Sequence, residues 1–198
     1  MTATVDDAKR ALAVRAGAAR RAAKRAAGGE AAEAVCGYFL HTLETGFATG
    51  PGGIIAGYWP LPDELDLRPL LAALDGLGRS CSLPVTAGVD GLLTFRRWRT
   101  GDELVPGAYG ISEPGPGASL VTPALVITPL LAVDRVGYRL GYGAGYYDRT
   151  LALLRRAGPV EAVGVGFAAQ LVDHVPHDGA DQRLDWVITE HGAIRVGA

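Results

Sequence analysis

The stretch Arg139-Leu140-Gly141-Tyr142-Gly143-Ala144-Gly145-Tyr146-Tyr147-Asp148-Arg149 organises the rest of the chain. Three glycines at alternate positions free the backbone for φ > 0 and for close approach to a ligand. A helical pattern follows at once, with Leu151, Leu153 and Leu154 and then Arg155 and Arg156. A glycine loop that runs into a helix start aims several N–H groups at one spot, where the helix dipole also favours an anion. Arg139 and Arg149 flank it with cationic forks suited to phosphate. Asp148 is placed to share a cation with that phosphate. The residues read as a phosphate-binding loop, although alternating glycines also serve a plain turn.

Outward from this loop, strands alternate with helices. Ala124-Leu125-Val126-Ile127-Thr128 has no polar alternation, as in a parallel strand covered on both faces. Ile54 to Trp59, Cys81 to Ala87, Leu92 to Trp98 and Val160 to Phe167 read as further strands, and Trp186–Ile188 with Ile194–Val196 close the chain. Leu67 to Leu77 is a short amphipathic helix, and Gly107 to Gly117 a loop dense in Gly and Pro. Thr4 with Asp7 predicts a capped helix start. Ala-rich sequence then runs to about Ala27, Gly28-Gly29 breaks it, and a second helix follows from Glu30 to about Thr45 with Ala34, Tyr38, Leu40 and Leu43 as candidate buried positions. The expectation is a three-layer α/β/α fold with a mostly parallel central sheet, one domain over 1–198, its N-terminal helices (about 5–45) packed on the sheet. Ligands of such sheets sit at the carboxyl ends of the strands, where the 128–145 loop lies.

The chain has 198 residues, 48% hydrophobic and 20% charged, which describes an ordinary globular protein without an apolar run of membrane length. Cys36 and Cys81 show no metal spacing and suggest no disulfide, as expected for small buried side chains in a reducing cytoplasm. The net charge of −2 hides an asymmetry. Residues 1–29 carry seven bases against Asp6 and Asp7, leaving twelve bases and nineteen acids beyond. A basic helix packed on an acidic body, or reaching toward a phosphate ligand, explains this better than a transit peptide.

The full string around the glycines resembles the signature of the 5-formyltetrahydrofolate cyclo-ligase (5,10-methenyltetrahydrofolate synthetase) family, and the likeness extends from about Lys9 to Glu190. The resemblance implies ATP- and Mg2+-dependent closure of 5-formyltetrahydrofolate to 5,10-methenyltetrahydrofolate, with ADP and phosphate released. It implies a small-molecule enzyme without nucleic-acid or membrane partners, cytoplasmic and monomeric. It places ATP on Lys9 and on Arg139, Leu140, Gly141, Tyr142, Gly143, Ala144, Gly145, Tyr146 and Tyr147, with Lys9, Arg139 and Tyr147 carrying catalysis. It places the folate on Trp59, Glu64, Tyr142, Gly143, Gly145 and Tyr146, and Mg2+ on Asp148 and Asp181. Chemistry fits these assignments: a pterin offers N–H donors to a carboxylate and a flat face to an indole, and magnesium takes one or two carboxylates plus phosphate and water.

Other readings stay beside these. Phe95 and Trp98 could border a flat substrate, while Glu113 reads as loop chemistry. Family members carry Arg where Ala13 stands, on the face of Lys9; Arg10 or Arg20 is left as a replacement. Arg15, Arg21, Lys24 and Arg25 read as a solvated basic face. Asp173-His174-Val175-Pro176-His177-Asp178 offers a rival transition-metal site, disfavoured by its proline. Two other functions remain: a folate- or nucleotide-binding paralogue that has lost turnover, and a nicotinamide oxidoreductase, whose fingerprint wants its glycines directly after a strand.

Overall fold

The computed structural model describes residues 4–86 and 91–196. Ala87, expected to end a strand, lies outside them.

Thr4 caps the first helix, α1 (Val5–Thr45). Its hydroxyl accepts the Asp7 N–H at 3.2 Å, and the Asp7 carboxylate accepts the Thr4 N–H at 3.2 Å. Gly28-Gly29 does not end this helix. The break contracts to a kink at Ala27, where φ is −149° and ψ 29°. Each glycine costs only about 1 kcal/mol against alanine in a helix, and the next turns recover it by burying Ala31, Ala32, Val35 and Phe39. The expected face is only partly the buried one: Leu40 and Leu43 are half-buried against the main core, but Tyr38 is exposed. In so alanine-rich a segment apolar residues occur on every side, and the docking of Phe39 decides the phase.

In chain order there follow β1 (Ile55–Ala56), α2 (Arg68–Gly76), β2 (Cys81–Thr86), β3 (Leu93–Trp98), β4 (Leu104–Pro106), β5 (Ser112–Pro114), β6 (Leu120–Val121) and β7 (Leu125–Thr128). Next come β8 (Ala132–Asp134), β9 (Arg139–Leu140), α3 (Tyr146–Ala157), β10 (Glu161–Val165), β11 (Leu171–Val172), β12 (Trp186–Thr189) and β13 (Gly192–Arg195). Eight strands form one sheet in the order β13-β12-β10-β7-β1-β2-β3-β6. From β12 to β2 all neighbours run parallel, and the antiparallel β13, β3 and β6 form the edges.

Successive side chains on a strand point to opposite faces, and the sheet uses both. Ile55, Leu125, Ile127, Val163, Val165 and Ile188 join the core under α1 and α2. Ala56, Val126, Ala162 and Val187 join Leu151 of α3 on the other side. The result is the expected three-layer α/β/α arrangement with a mostly parallel sheet. Two smaller pieces were not expected. The Gly107–Gly117 region, read as loop, holds the turn and second strand of the β4–β5 hairpin, and β11-β8-β9 form a three-stranded side sheet. That side sheet carries the chain from β7 to the glycine loop.

Phe39 is fully buried on the sheet side of α1 and Val14 is 75% exposed. Phe39→Ala is expected to lower unfolding free energy in urea by roughly 3–5 kcal/mol. Val14→Ala should stay within about 0.5 kcal/mol.

Candidate nucleotide and substrate site

One stripe of α1 faces the site. Lys9, Ala13, Ala16, Gly17, Arg20 and Lys24 recur at three- and four-residue steps, so they lie above one another along about 22 Å of helix. The Lys9 ammonium donates to Asp181 Oδ2 at 2.6 Å and lies 3.7 Å from Asp178. Desolvation alone would lower its pKa. The Asp181 hydrogen bond, with the fields of Asp181, Asp178 and Asp148, outweighs it and holds Lys9 above its ordinary value. Arg20, 5% exposed, donates from Nη1 to the Tyr142 hydroxyl at 2.5 Å. Lys24 donates to the Glu64 carbonyl at 2.8 Å, so it belongs to the site and not to the solvated face. Arg10 points away and pairs with Asp7. Of the two arginines left to stand in at Ala13, only Arg20 reaches the glycine loop. Ala13 itself packs against the apolar cluster of Leu12, Leu131 and Leu140.

The loop needs two of its glycines for backbone reasons: Gly143 has φ of 89° and Gly145, the cap of α3, 67°. Among the described residues nothing lies within 4 Å of where a Cβ on Gly141 or Gly143 would stand. The loop surface is open on that side. Leu140 turns its side chain into the core, which leaves only its main chain near the loop.

Arg139 and Arg149 part company. The Arg139 side chain is 4% exposed, and its Nη1 donates to both Asp148 oxygens at 3.2 and 3.3 Å. Asp148 also accepts the Gln182 N–H at 3.0 Å. Among the described residues the buried Arg139 Nε has no hydrogen-bond partner. Arg149, expected as a phosphate fork, is occupied with carbonyls: Ala144 at 2.7 Å and Gly91 at 3.0 and 3.2 Å. It clamps the loop instead of facing a ligand. Tyr147 lies under Arg139, whose guanidinium carbon is 5.6 Å from the ring centre. Burial, with Glu64 nearby, pushes the Tyr147 phenol well above its ordinary value. Tyr146 is half-buried and places its hydroxyl 3.2 Å from that of Tyr109.

Glu64 is 4% exposed in the turn after β1. Its Oε2 accepts the Leu61 N–H at 2.8 Å and its Oε1 the Tyr142 hydroxyl at 3.0 Å. Desolvation raises the Glu64 pKa, against the pull of these donors and of Arg20 and Lys24. Burial and the neighbouring Glu64 push the Tyr142 phenol up to about 12. Trp59 is half-buried and, with Lys24, Leu61 and Gly110–Ser112, lines a cavity of about 280 Å³. Phe95 and Trp98 do not border it as substrate platforms. They are 3% and 5% exposed core residues, and Trp98 meets Trp59 edge-on at 6.0 Å. Glu113 is also buried, where it accepts the Thr86 N–H at 3.0 Å and ties the β4–β5 hairpin to the sheet.

The structure thus brings Lys9, Arg139, Asp148 and Asp181 to one end of the cleft, and Trp59, Glu64 and Tyr142 to the other. Composition and spacing gave no signal for Gln182, Asp178 or the inward turn of Lys24. No three His, Cys, Asp or Glu side chains converge as a metal cage among the described residues. The rival His-rich segment is used otherwise: His177 stacks on Tyr138 at 3.5 Å, with His174 edge-on to it. Asp148 and Asp181 are hard oxygen donors, each now held by a cationic side chain. This donor set suits a divalent ion that brings phosphate and water as its other ligands.

A model of the 5-formyltetrahydrofolate cyclo-ligase family matches residues 8–190. A 5-formyltetrahydrofolate cyclo-ligase of Mycolicibacterium smegmatis is 33% identical over 151 residues, covering 72% of this chain and 76% of the relative. The Escherichia coli protein of that name is 35% identical over 140 residues, covering 68% and 76%. The NMR structure of Aquifex aeolicus 5,10-methenyltetrahydrofolate synthetase superposes with a TM-score of 0.76 at 27% identity, covering 96% of this chain and 93% of that one.

The raised Glu64 pKa has a pH signature. A carboxyl with a raised native pKa stabilises the fold while protonated and loses that contribution as it ionises. Stability is expected to fall as pH rises from the ordinary value of 4.5 through the native pKa above it. Glu64→Gln should lack that component, measured as the difference between the two proteins' urea midpoints across this range.

Proposed function

The chain belongs to the 5-formyltetrahydrofolate cyclo-ligase family, and on that premise we propose that it closes 5-formyltetrahydrofolate to 5,10-methenyltetrahydrofolate at the expense of ATP. The observation that carries this is the open loop at Gly141 and Gly143, bordered by Lys9, Arg139 and two carboxylates from distant parts of the chain. The main-chain N–H groups at the α3 start and the Lys9 ammonium take the triphosphate. Asp148 and Asp181 would hold the divalent ion, which when bound would neutralise phosphate charge. Glu64 and Trp59 take the pterin, with Tyr142 between the two halves of the cleft.

The formyl oxygen attacks the terminal phosphorus and ADP leaves. The substrate's second nitrogen then attacks the formyl carbon and gives up its proton. The carbon–oxygen bond breaks and phosphate departs with the electron pair. Such a transfer asks the protein for positioning and charge stabilisation, not for a nucleophile of its own. Lys9 and Arg139 serve as the fixed cations. Arg139 is held by Asp148 beneath the loop, so it is already oriented before substrates arrive. Desolvated Glu64 favours N–H donors over water. The nicotinamide reading lacks its geometry: the glycines follow the two-residue β9 of the side sheet, not a strand of the main sheet.

The protein with ATP, magnesium and 5-formyltetrahydrofolate is expected to generate the near-ultraviolet absorbance of the methenyl product. Asp148→Asn and Asp181→Asn should each lower kcat by roughly a hundredfold or more, as for loss of a group that stabilises transition-state charge. Asp181 lies in a partly exposed pair, so its variant should unfold within about 1 kcal/mol of the parent. ATP cleavage without folate, or full turnover in both variants, would overturn the reading. Binding of both substrates without cleavage would assign the chain to a non-catalytic branch.

A further inference from the structure

The reaction gives Lys9 and Asp181 separate partners, phosphate for one and the divalent ion for the other, yet in the structure they hold each other. Asp181 Oδ2 accepts the Lys9 ammonium at 2.6 Å and the Asp178 N–H at 2.8 Å. The ammonium also lies 3.7 Å from the Asp178 carboxylate, and Asp148 is close enough to act on its charge. The Lys9 and Asp181 side chains are 22% and 16% exposed, so water and salt screen the pair only in part.

Among the described residues Lys9 is the one cation that α1 brings to this end of the cleft. Arg10 turns outward to Asp7. Ala13, one turn on, packs with Leu12, Leu131 and Leu140. Arg20 is taken up by the Tyr142 hydroxyl. On the other side of the loop the Arg139 fork lies across both oxygens of Asp148 and is fixed there. Lys9 is different in kind: a point charge on a flexible stem can leave one oxygen for another. A bare divalent ion on Asp181 would stand close to that ammonium. Magnesium sits about 2.0–2.1 Å from its oxygen ligands and sheds water reluctantly, so two like charges would share one carboxylate and repel. A nucleotide changes the balance, because its phosphate oxygens can accept the ammonium and also supply further ligands to the ion.

We infer that Lys9 is an internal counter-ion that keeps Asp181 closed to free divalent ions and yields it only when a nucleotide's phosphates take the ammonium. Lys9 thereby selects the metal–nucleotide pair over the metal alone. This rests on the cyclo-ligase reading for its ligands, and it adds something that phosphate binding does not require. A lysine that only touched phosphate would, when removed, weaken the nucleotide and leave the bare metal's affinity as it was.

The test needs neither turnover nor folate. Manganese is titrated into the nucleotide-free full chain, and the bound ion is read from loss of the free ion's paramagnetic resonance signal. Lys9→Met keeps a long helix-forming side chain without the charge and should bind manganese at least about tenfold more tightly than the parent. Lys9→Arg restores a cation beside Asp181 and should stay within about threefold of the parent. When Asp181→Asn is added to Lys9→Met, the gain should disappear. At matched ionic strength, magnesium alone should leave the parent's urea midpoint unchanged and raise that of Lys9→Met, since a ligand of the folded state stabilises it. Manganese affinity in Lys9→Met no better than the parent's would overturn the proposal. So would a gain that survives Asp181→Asn, or a Lys9→Arg protein that binds as tightly as Lys9→Met, which would assign the effect to helix packing instead of charge. The same titrations stand if the chain fails to cyclise 5-formyltetrahydrofolate, so the fate of the reaction and that of the counter-ion are read separately.

Discussion

Lys9 and Asp181 stand 172 residues apart in the chain and 2.6 Å apart in space. The rest of the site depends on that meeting. The first helix has no groove of its own, and the glycine loop on its own offers N–H groups but little cationic charge. Only when α1 lies across the loops of the last third of the chain do Lys9, Arg20 and Lys24 come to face Asp181, Tyr142 and Glu64. The charge asymmetry of the sequence, a basic start and an acidic remainder, is resolved along this seam.

Pairing has a second effect. Each cation at the cleft is held by an oxygen of the protein: Lys9 by Asp181, Arg139 by Asp148, Arg20 by the Tyr142 hydroxyl. A buried guanidinium without a partner would be costly, and a long side chain left free would lose entropy on meeting a ligand. The pairs lessen both costs. They also hold the two carboxylates in fixed orientations. The Arg149 clamp on Ala144 and Gly91 does the same for the loop backbone, whose left-handed glycines would otherwise wander among many conformations.

Much of this was legible in the residues. The layered sheet followed from Leu125–Thr128 and the alternation of strands and helices, because a strand apolar on both faces has few other places to be. The loop was legible because its glycines, tyrosines and aspartate occur together. What stayed hidden was side-chain direction. Arg149 reads as a phosphate ligand in sequence and proves to be a backbone clamp, since nothing local announces that the Gly91 carbonyl lies beside it. Phe95 and Trp98 look like a substrate platform until the register of β3 turns them inward. Lys24 looks solvated until the turn at Glu64 is folded against it. The α1 phase was obscured by alanine, which is equally content on either face, and the side sheet by strands of two and three residues.

The kink at Ala27 divides α1 into segments with different anchors. Beyond it Ala31, Ala32, Val35 and Phe39 are sealed in the main core. Before it Leu12 and Ala16 meet the small apolar cluster on the side sheet and Ala23 touches the edge of the main core; the rest of the grip is the Lys9–Asp181 ion pair and the hydrogen bonds of Arg20 and Lys24. The two segments therefore belong to different cooperative units. Amides of the leading segment are expected to exchange with solvent deuterium through a local detachment that salt promotes, as screening weakens its ionic grip. Those of the trailing segment should exchange only with global unfolding. One continuous rod then works as a fixed beam carrying a releasable arm, and its three inward cations lift away from the cleft whenever that arm lets go.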